Sequence, residues 1–356
     1  MVMDIRVEKA AENELKPKPD EKSLGFGAFF TDHMLVMSYD NGSWNDPVIK
    51  KYQNFSLDPA AMVLHYGQAI FEGLKAYRGK DNQIYMFRPK DNLARMNNSA
   101  RRMCMPEINV DEVFEALKTL VRLEEAWVPS LQGATLYIRP TMVATEAGLG
   151  VRPANQYLFF IIMCPVGAYY PEGFNPVKIF VTEKYVRAVP GGVGHVKTAG
   201  NYAASIMAAV EAQESGYTQV LWLDAVERKY IEEVGTMNIF FVIGDEIITP
   251  PISGSILPGI TRDSVLRLTR DWGLNVVERR ISIDEVFEAS HNGSLREVFG
   301  TGTAAVISPV GSLNYKEEVC SVNGGETGSL AQRLFDEIQK IQYGHCQNPH
   351  DWVVKL

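Results

Sequence analysis

Lys197 lies in the run Gly191-Gly192-Val193-Gly194-His195-Val196-Lys197-Thr198-Ala199-Gly200-Asn201-Tyr202, a glycine-rich and nearly uncharged stretch. Lysine is normally kept at a wet surface, where its ammonium is well hydrated. Glycines around it let the backbone come close to a ligand and adopt conformations that other residues resist. A partly desolvated lysine gives up its proton more readily, and a neutral amine is the nucleophile that Schiff-base chemistry with a carbonyl requires. The small-residue run Ala203–Val210 that follows reads as a buried helix. A surface lysine beside a tight turn accounts for the same residues, so the rest of the chain must decide.

Two further segments suit an anion. Leu257-Pro258-Gly259-Ile260-Thr261-Arg262-Asp263-Ser264 runs from a proline–glycine turn into an amphipathic helix, whose first N–H groups and dipole favour negative charge. An ordinary capped helix reads the same way. Gly300-Thr301-Gly302-Thr303-Ala304-Ala305 can offer N–H groups and hydroxyls to an anion, or serve only as a tight turn between Val298 and Val306. In Ile231–Phe241, Glu232 and Glu233 adjoin a strongly apolar strand, where a carboxylate is expensive without a partner. Alternation should send the two to opposite faces. A lysine, a phosphate cradle and a buried carboxylate together suit pyridoxal 5′-phosphate, with the carboxylate keeping the ring nitrogen protonated so that the ring accepts electrons. Nucleotide motifs fail: Gly73 to Gly79-Lys80 has one residue too many for a phosphate loop, Asp81 stands where Ser or Thr is needed, and no GxGxxG follows a strand. The six histidines show no metal-ligand spacing, so no metal is expected.

The elements that must position these residues divide at a proline- and glycine-rich segment. Residues 1–164 read as a first domain, 165–176 as a linker containing paired tyrosines, and 177–356 as a second domain. In the first, strands are expected at His33–Tyr39, Ile70–Arg78, Gln83–Arg88, Ala134–Val143 and Tyr157–Cys164, with turns at Asp40-Asn41-Gly42 and Asp81-Asn82. Helices are expected from about Lys90 to Met103, behind Pro89, and over Val110–Ala126 with Asn109 as N-cap. The second alternates strands (Val177–Thr182, Thr218–Leu223, Thr236–Ile243, Glu246–Thr249) with helices (Thr198–Ser215, Thr261–Trp272, Ile283–Glu288, Gly328–Tyr343). This is a mixed α+β fold of two domains, with a cleft between them as the usual home of a small ligand.

At 356 residues, with 46% hydrophobic and 22% charged residues, the composition is that of an ordinary globular chain. A net charge of −8 gives no basic footprint for nucleic acid or an anionic membrane. The four cysteines lack CxxC spacing, the charged N-terminus through Lys22 has no apolar signal core, and the longest apolar run, Tyr157–Val166, is too short to span a membrane, so a cytoplasmic protein is expected.

Taken in order, Phe30-Thr31-Asp32-His33-Met34, Phe71-Glu72-Gly73-Leu74-Lys75-Ala76, Phe87-Arg88-Pro89, Leu136-Tyr137-Ile138-Arg139-Pro140, the Lys197 loop, Glu233-Val234-Gly235-Thr236-Met237-Asn238, Leu257-Pro258-Gly259 and Gly302-Thr303-Ala304 span nearly the whole chain. In these motifs the sequence resembles the branched-chain amino acid aminotransferases of the fold type IV, D-amino-acid-aminotransferase-like family. The resemblance implies a smaller N-terminal and a larger C-terminal domain with the cofactor in the cleft between them. It implies that Lys197 forms the Schiff base with pyridoxal 5′-phosphate and then shuttles the proton, that Glu233 pairs with the pyridine nitrogen, and that Tyr202 bonds the phenolic oxygen. Arg95 matches the phosphate-binding arginine, aided by Ile260, Thr261 and Thr303. The substrate carboxylate would meet Thr303 and Ala304, with Tyr66, Tyr137 and Arg139 nearby. Phe30, Tyr66, Phe71 and Tyr137 would line an apolar pocket. Leu149 and Val151 match a loop reaching across from a partner subunit, which implies at least a homodimer. The implied reaction transfers amino groups between leucine, isoleucine or valine and 2-oxoglutarate. Arg139 and the tyrosine hydroxyls are the expected partners of glutamate's second carboxylate. One departure is Ala305 and Ser308, where animal relatives carry a redox CxxC. A D-amino-acid aminotransferase or a lyase of the same fold, and a non-catalytic protein binding a phosphorylated metabolite, are the competing readings.

Overall fold

The computed structural model describes residues 4–167 and 174–356. The middle of the expected linker, residues 168–173 with the paired tyrosines, lies outside the described residues. The chain divides into two compact units: Met1–Tyr169 with Val196–Ala199 and Lys340–Leu356, and Tyr170–His195 with Gly200–Gln339. The four residues around Lys197 and the C-terminal stretch therefore belong with the first half of the chain.

The first unit is built on a ten-stranded sheet. Its order is Arg6–Val7, Val48–Lys51, His33–Asp40, Tyr157–Val166, Thr135–Ala144, Leu74–Arg78, Ile84–Phe87 and Val353–Lys355, with Ser43–Trp44 on His33–Asp40 and Ala69–Phe71 on Thr135–Ala144. Helix Val110–Leu123 repeats its apolar residues with helical spacing, burying Val113, Phe114, Leu117, Leu120 and Val121. Asn109 caps it by accepting from the N–H groups of Asp111 and Glu112, as expected. Helix Pro89–Arg102 starts on a proline, which suits a first turn where no N–H partner is needed. It packs on the same core through Leu93, Met96 and Ala100. The expected strand Ile70–Arg78 is broken into Ala69–Phe71 and Leu74–Arg78. Glu72 and Gly73 leave the ladder because Glu72 turns inward to a buried arginine, and a Cβ on Gly73 would lie 2.0 Å from the Tyr137 hydroxyl.

The second unit holds a nine-stranded sheet in the order Ile231–Val234, Gln219–Leu223, Val177–Thr182, Val306–Tyr315, Leu295–Gly302, Asn238–Ile243, Glu246–Thr249 and Val276–Glu278, with Glu318–Ser321 paired to Val306–Tyr315. The strand expected from Thr236 starts at Asn238, since Gly235 (φ +55°) and Thr236 form the hairpin turn closed by the Val234–Met237 bridge. The run Ala203–Val210 is helical, within Ala199–Glu214, but it is not buried. Only Asn201, Ala208 and Ala212 are covered, the two alanines packing with Val220 and Trp222, while Ile206, Met207 and Val210 face outward. Apolar composition all round a helix does not say how many of its faces find a partner within one chain.

Candidate active site

In the first unit the lysine is gripped by its backbone. The Lys197 N–H donates to Ser99 Oγ at 3.0 Å, and its carbonyl accepts from the Phe71 N–H at 3.0 Å. Next to it, Thr198 Oγ1 donates to the Ala69 carbonyl at 2.8 Å, and Ile70 bridges Thr198. The Lys197 ammonium stands 5.1 Å from the centre of the Phe71 ring. The Arg139 guanidinium lies 4.6 Å from the same ring and 5.2 Å from that of Tyr137, and donates to the Tyr137 hydroxyl at 3.0 Å. Arg139 Nε is buried without a hydrogen-bond partner among the described residues. Lys197, Phe71, Tyr137 and Arg139 are thus brought together, as a cationic edge on an aromatic wall. Phe30 packs against Tyr137, Cys164 and Val166 and stacks on Tyr52 with ring centres 5.3 Å apart. The Tyr66 hydroxyl donates to the Leu149 carbonyl, on a loop where Leu149 and Val151 are 66% and 86% exposed.

Arg95 is committed more than its motif suggests. Its Nε and one Nη fork onto Glu72, at 2.8 and 2.9 Å, and Glu72 is 0% exposed. Such a bidentate pair fixes the guanidinium plane and balances its charge. Lys75 is also buried in this unit, in register with Tyr137, and burial pushes its ammonium down to about 8. Burial likewise pushes the Cys164 thiol up to about 11, against the pull of Arg139, which makes it inert.

In the second unit a pocket is lined by Arg187, Asn201, Tyr202, Ser205, Glu233, Gly235, Thr236 and Leu257. Glu233 is 3% exposed and held at both oxygens: Asn238 Nδ2 donates to Oε1 at 3.0 Å, and Arg187 lies 2.5 Å from Oε2. Both glutamates of the pair are buried, and they meet different partners. Glu232 accepts from the Ser255 hydroxyl, and burial pushes its carboxyl upward against that bond and the nearby Arg187. Arg187 itself donates to the carbonyls of Gly194 (3.0 Å) and Ser255, so it ties the glycine loop to the carboxylate. His195, in that loop, bonds the Gly254 carbonyl through Nδ1 at 2.8 Å. Helix Ile260–Asp271 starts at Gly259 with no side-chain cap, and Thr261 is in its first turn. A Cβ on Gly259 would lie 1.9 Å from Asn238 Oδ1, so only glycine lets that helix start sit so close to the residue holding Glu233. Thr303 and Ala304 form the turn between strands Leu295–Gly302 and Val306–Tyr315.

This donor set fits pyridoxal 5′-phosphate. A fixed buried carboxylate answers a cationic ring nitrogen, a tyrosine in the same pocket answers the ring oxygen, and a helix start without a side-chain cap answers a phosphate. Residues 69–313 match the family described as amino-transferase class IV. The chain belongs to that family. It is 54% identical over 354 residues to branched-chain-amino-acid aminotransferase 2 of Bacillus subtilis (strain 168), covering 99% of this chain and 97% of the relative. Among solved structures it is similar to the T.th. branched-chain amino acid aminotransferase with pyridoxamine 5′-phosphate, at 28% identity and a TM-score of 0.74, covering 89% of this chain and 97% of that one. The same enzyme complexed with N-(5′-phosphopyridoxyl)-L-glutamate matches at 27% identity and a TM-score of 0.72 over the same shares.

For this class IV aminotransferase three residues escaped the sequence reading. Arg187 lies in an irregular stretch, 46 positions from the glutamate it pairs with. Ser99 looks like the polar face of a helix and is fully buried. Phe26, flanked by two glycines with positive φ, meets the Tyr137 ring edge-on at 5.0 Å. Glycine on both sides of Phe26 is the available signal, since glycine readily adopts the positive φ found there.

Proposed function

We propose that this aminotransferase exchanges the amino group of L-leucine, L-isoleucine or L-valine with that of glutamate, through their 2-oxo acids. The observation that carries the reading is the arrangement around Lys197: its amine and the Arg139 guanidinium both meet the Phe71 ring, and Arg139 also meets Tyr137. An apolar surface suits a branched side chain, and an arginine that among the described residues is held by aromatic faces rather than by a carboxylate suits the acid groups that all four amino acids share or add. The full-length likeness to a branched-chain enzyme supports the same substrates.

Pyridoxal 5′-phosphate supplies an aldehyde that takes up amino groups and a ring that accepts electrons from Cα. Everything else falls to the protein. Lys197 would hold the cofactor through its amine and carry the proton at Cα. Glu233, kept in place by Asn238 and Arg187, would hold the proton on the ring nitrogen. Tyr202 would bond the ring oxygen. Arg95, Ile260, Thr261 and Thr303 bind the phosphate, with the larger electrostatic share at the helix start, since the Arg95 charge is already offset by Glu72. Thr303 and Ala304 receive the substrate carboxylate, Tyr66 and Phe30 extend the apolar wall, and Leu149 and Val151 serve the site of a partner copy.

A homodimer accords with the exposure of Leu149 and Val151 in the first unit and of Ile206, Met207 and Val210 in the second, apolar side chains that a single chain leaves uncovered. A cytoplasmic location accords with four free cysteines. Among the described residues no helix is long and apolar enough to cross a membrane. The test supplies L-leucine or D-alanine with 2-oxoglutarate. Turnover with L-leucine is expected, and turnover confined to D-alanine would replace this reading by the D-amino-acid one. Borohydride reduction and peptide mapping should place the cofactor label on Lys197.

A further inference from the structure

We propose that Ser99 is a positioning residue for Lys197, setting the lysine in register with Arg95 through a closed circuit of hydrogen bonds. The circuit runs through four short links. Arg95 forks onto Glu72 at 2.8 and 2.9 Å. Glu72 follows Phe71, whose N–H donates to the Lys197 carbonyl at 3.0 Å. The Lys197 N–H donates to Ser99 Oγ at 3.0 Å. Ser99 Oγ in turn donates to the carbonyl of Arg95, one helical turn back, at 3.3 Å, which closes the loop.

The hydroxyl suits this place because it donates once while accepting from another N–H. It is fully buried, as is Glu72, so neither link competes with solvent. Glu72 is steadied from both sides of its own chain position: its N–H donates to the Pro140 carbonyl at 2.8 Å, and Oε2 accepts from the Gly73 N–H at 3.1 Å. The lysine backbone is therefore fixed against helix Pro89–Arg102 and strand Ala69–Phe71, while the helix carries Arg95 on the adjoining turn. Ser99 is the one link of the circuit whose removal changes no charge. This inference rests on the reading that Lys197 bonds the cofactor.

The experiment separates capture of the cofactor from its binding. Apoenzyme is mixed with pyridoxal 5′-phosphate, and the carbon–nitrogen bond between Lys197 Nζ and the aldehyde carbon, formed with loss of one water, is followed by absorbance. In parallel, pyridoxamine 5′-phosphate, which has no aldehyde and forms no such bond, is titrated by quenching of tryptophan fluorescence. Ser99→Ala should slow capture about ten-fold, since small displacements of a reacting group have effects of that size or larger, and leave the pyridoxamine 5′-phosphate affinity unchanged. Ser99→Cys, nearly isosteric but a weaker acceptor, should fall between. Capture at the wild-type rate, or a parallel loss of capture and of pyridoxamine 5′-phosphate affinity, overturns the positioning role. A borohydride label on another residue of the wild-type protein would instead remove the reading beneath it.

Discussion

The proposed catalytic lysine of the first unit and the proposed ring-nitrogen carboxylate of the second are held in opposite ways. In the first unit Lys197 is gripped by its peptide, through Ser99 and Phe71, with its alkyl arm reaching over an aromatic ring. In the second unit Glu233 is gripped by its charged end, through Arg187 and Asn238. The difference matches the role proposed for each. A lysine that is to bond a cofactor and carry a proton in turn needs a fixed base and a swinging tip. A carboxylate that is to keep one proton on a ring nitrogen needs a fixed tip.

The largest break in this comparison is Lys197→Ala. It should lower turnover by about 10⁴-fold or more, since the nucleophile and the proton carrier vanish together, while pyridoxamine 5′-phosphate still binds. Single-turnover rates and a fluorescence titration check both halves, and substantial activity in the variant would unseat Lys197. Next comes Glu233→Gln, which keeps the shape and removes the charge. A loss of about 10²-fold in kcat is expected, the usual scale for one preorganised electrostatic contact. A rate equal to wild type would show that the ring nitrogen does not depend on it.

Arg187→Gln tests the grip on the carboxylate. Breaking a buried ion pair costs on the order of 3–5 kcal/mol of stability, because the remaining charge is left uncompensated. The deficit should depend on pH. Burial raises the Glu232 carboxyl and Arg187 opposes this, so the folded protein without Arg187 favours protonated glutamate still more. A carboxyl raised in the folded state lowers stability as pH rises through its folded value. The deficit of Arg187→Gln is therefore greatest at neutral pH and shrinks in acid. Urea melts at several pH values measure it, and a pH-independent deficit would mean that Arg187 acts through packing alone. A smaller effect is expected from Arg139→Gln on the first-unit wall: the KM for glutamate should rise by about 10- to 100-fold, the worth of a hydrogen bond to a charged group, with less change for leucine. Equal effects on both substrates would assign Arg139 to the shared carboxylate instead.

How legible each grip was in the sequence follows from the same contrast. The proposed reactive groups announce themselves locally: a lysine among glycines and a glutamate beside an apolar strand violate ordinary composition. Their holders do not. Ser99 and Glu72 are ordinary polar residues until a helix and a strand meet around them, and Arg187 sits in irregular chain with no period to read. Helix Ala199–Glu214 was legible as a helix but not in its exposure, because apolarity does not name its partner. Strands Leu295–Gly302 and Val306–Tyr315 hid behind the small-residue turn that joins them, although the turn itself, at Thr303 and Ala304, was plain.

The smallest expected effect concerns the frame behind the first-unit wall. Asp32, two residues after Phe30, accepts from the Lys16 N–H at 2.8 Å, from the Trp127 indole at 2.7 Å and from the Lys18 ammonium at 3.1 Å. Burial alone would raise its carboxyl, but these donors outweigh it and hold the group below the usual carboxylate range. A carboxyl lowered in the folded state stabilises above the unfolded value, near about 4, and that stability is lost as pH falls through the folded value. Asp32→Asn should therefore destabilise the protein by about 1 kcal/mol at neutral pH and converge with wild type in acid. Because the N-terminal segment is fastened to Phe30 separately, by Lys16 donating to the carbonyls of Phe30 and Thr31, turnover should stay near wild type. Melting temperatures across pH test the first point. A matching fall in kcat would show that the wall around Lys197 depends on its charged backing as closely as Glu233 depends on Arg187, and the contrast between the two grips would be lost.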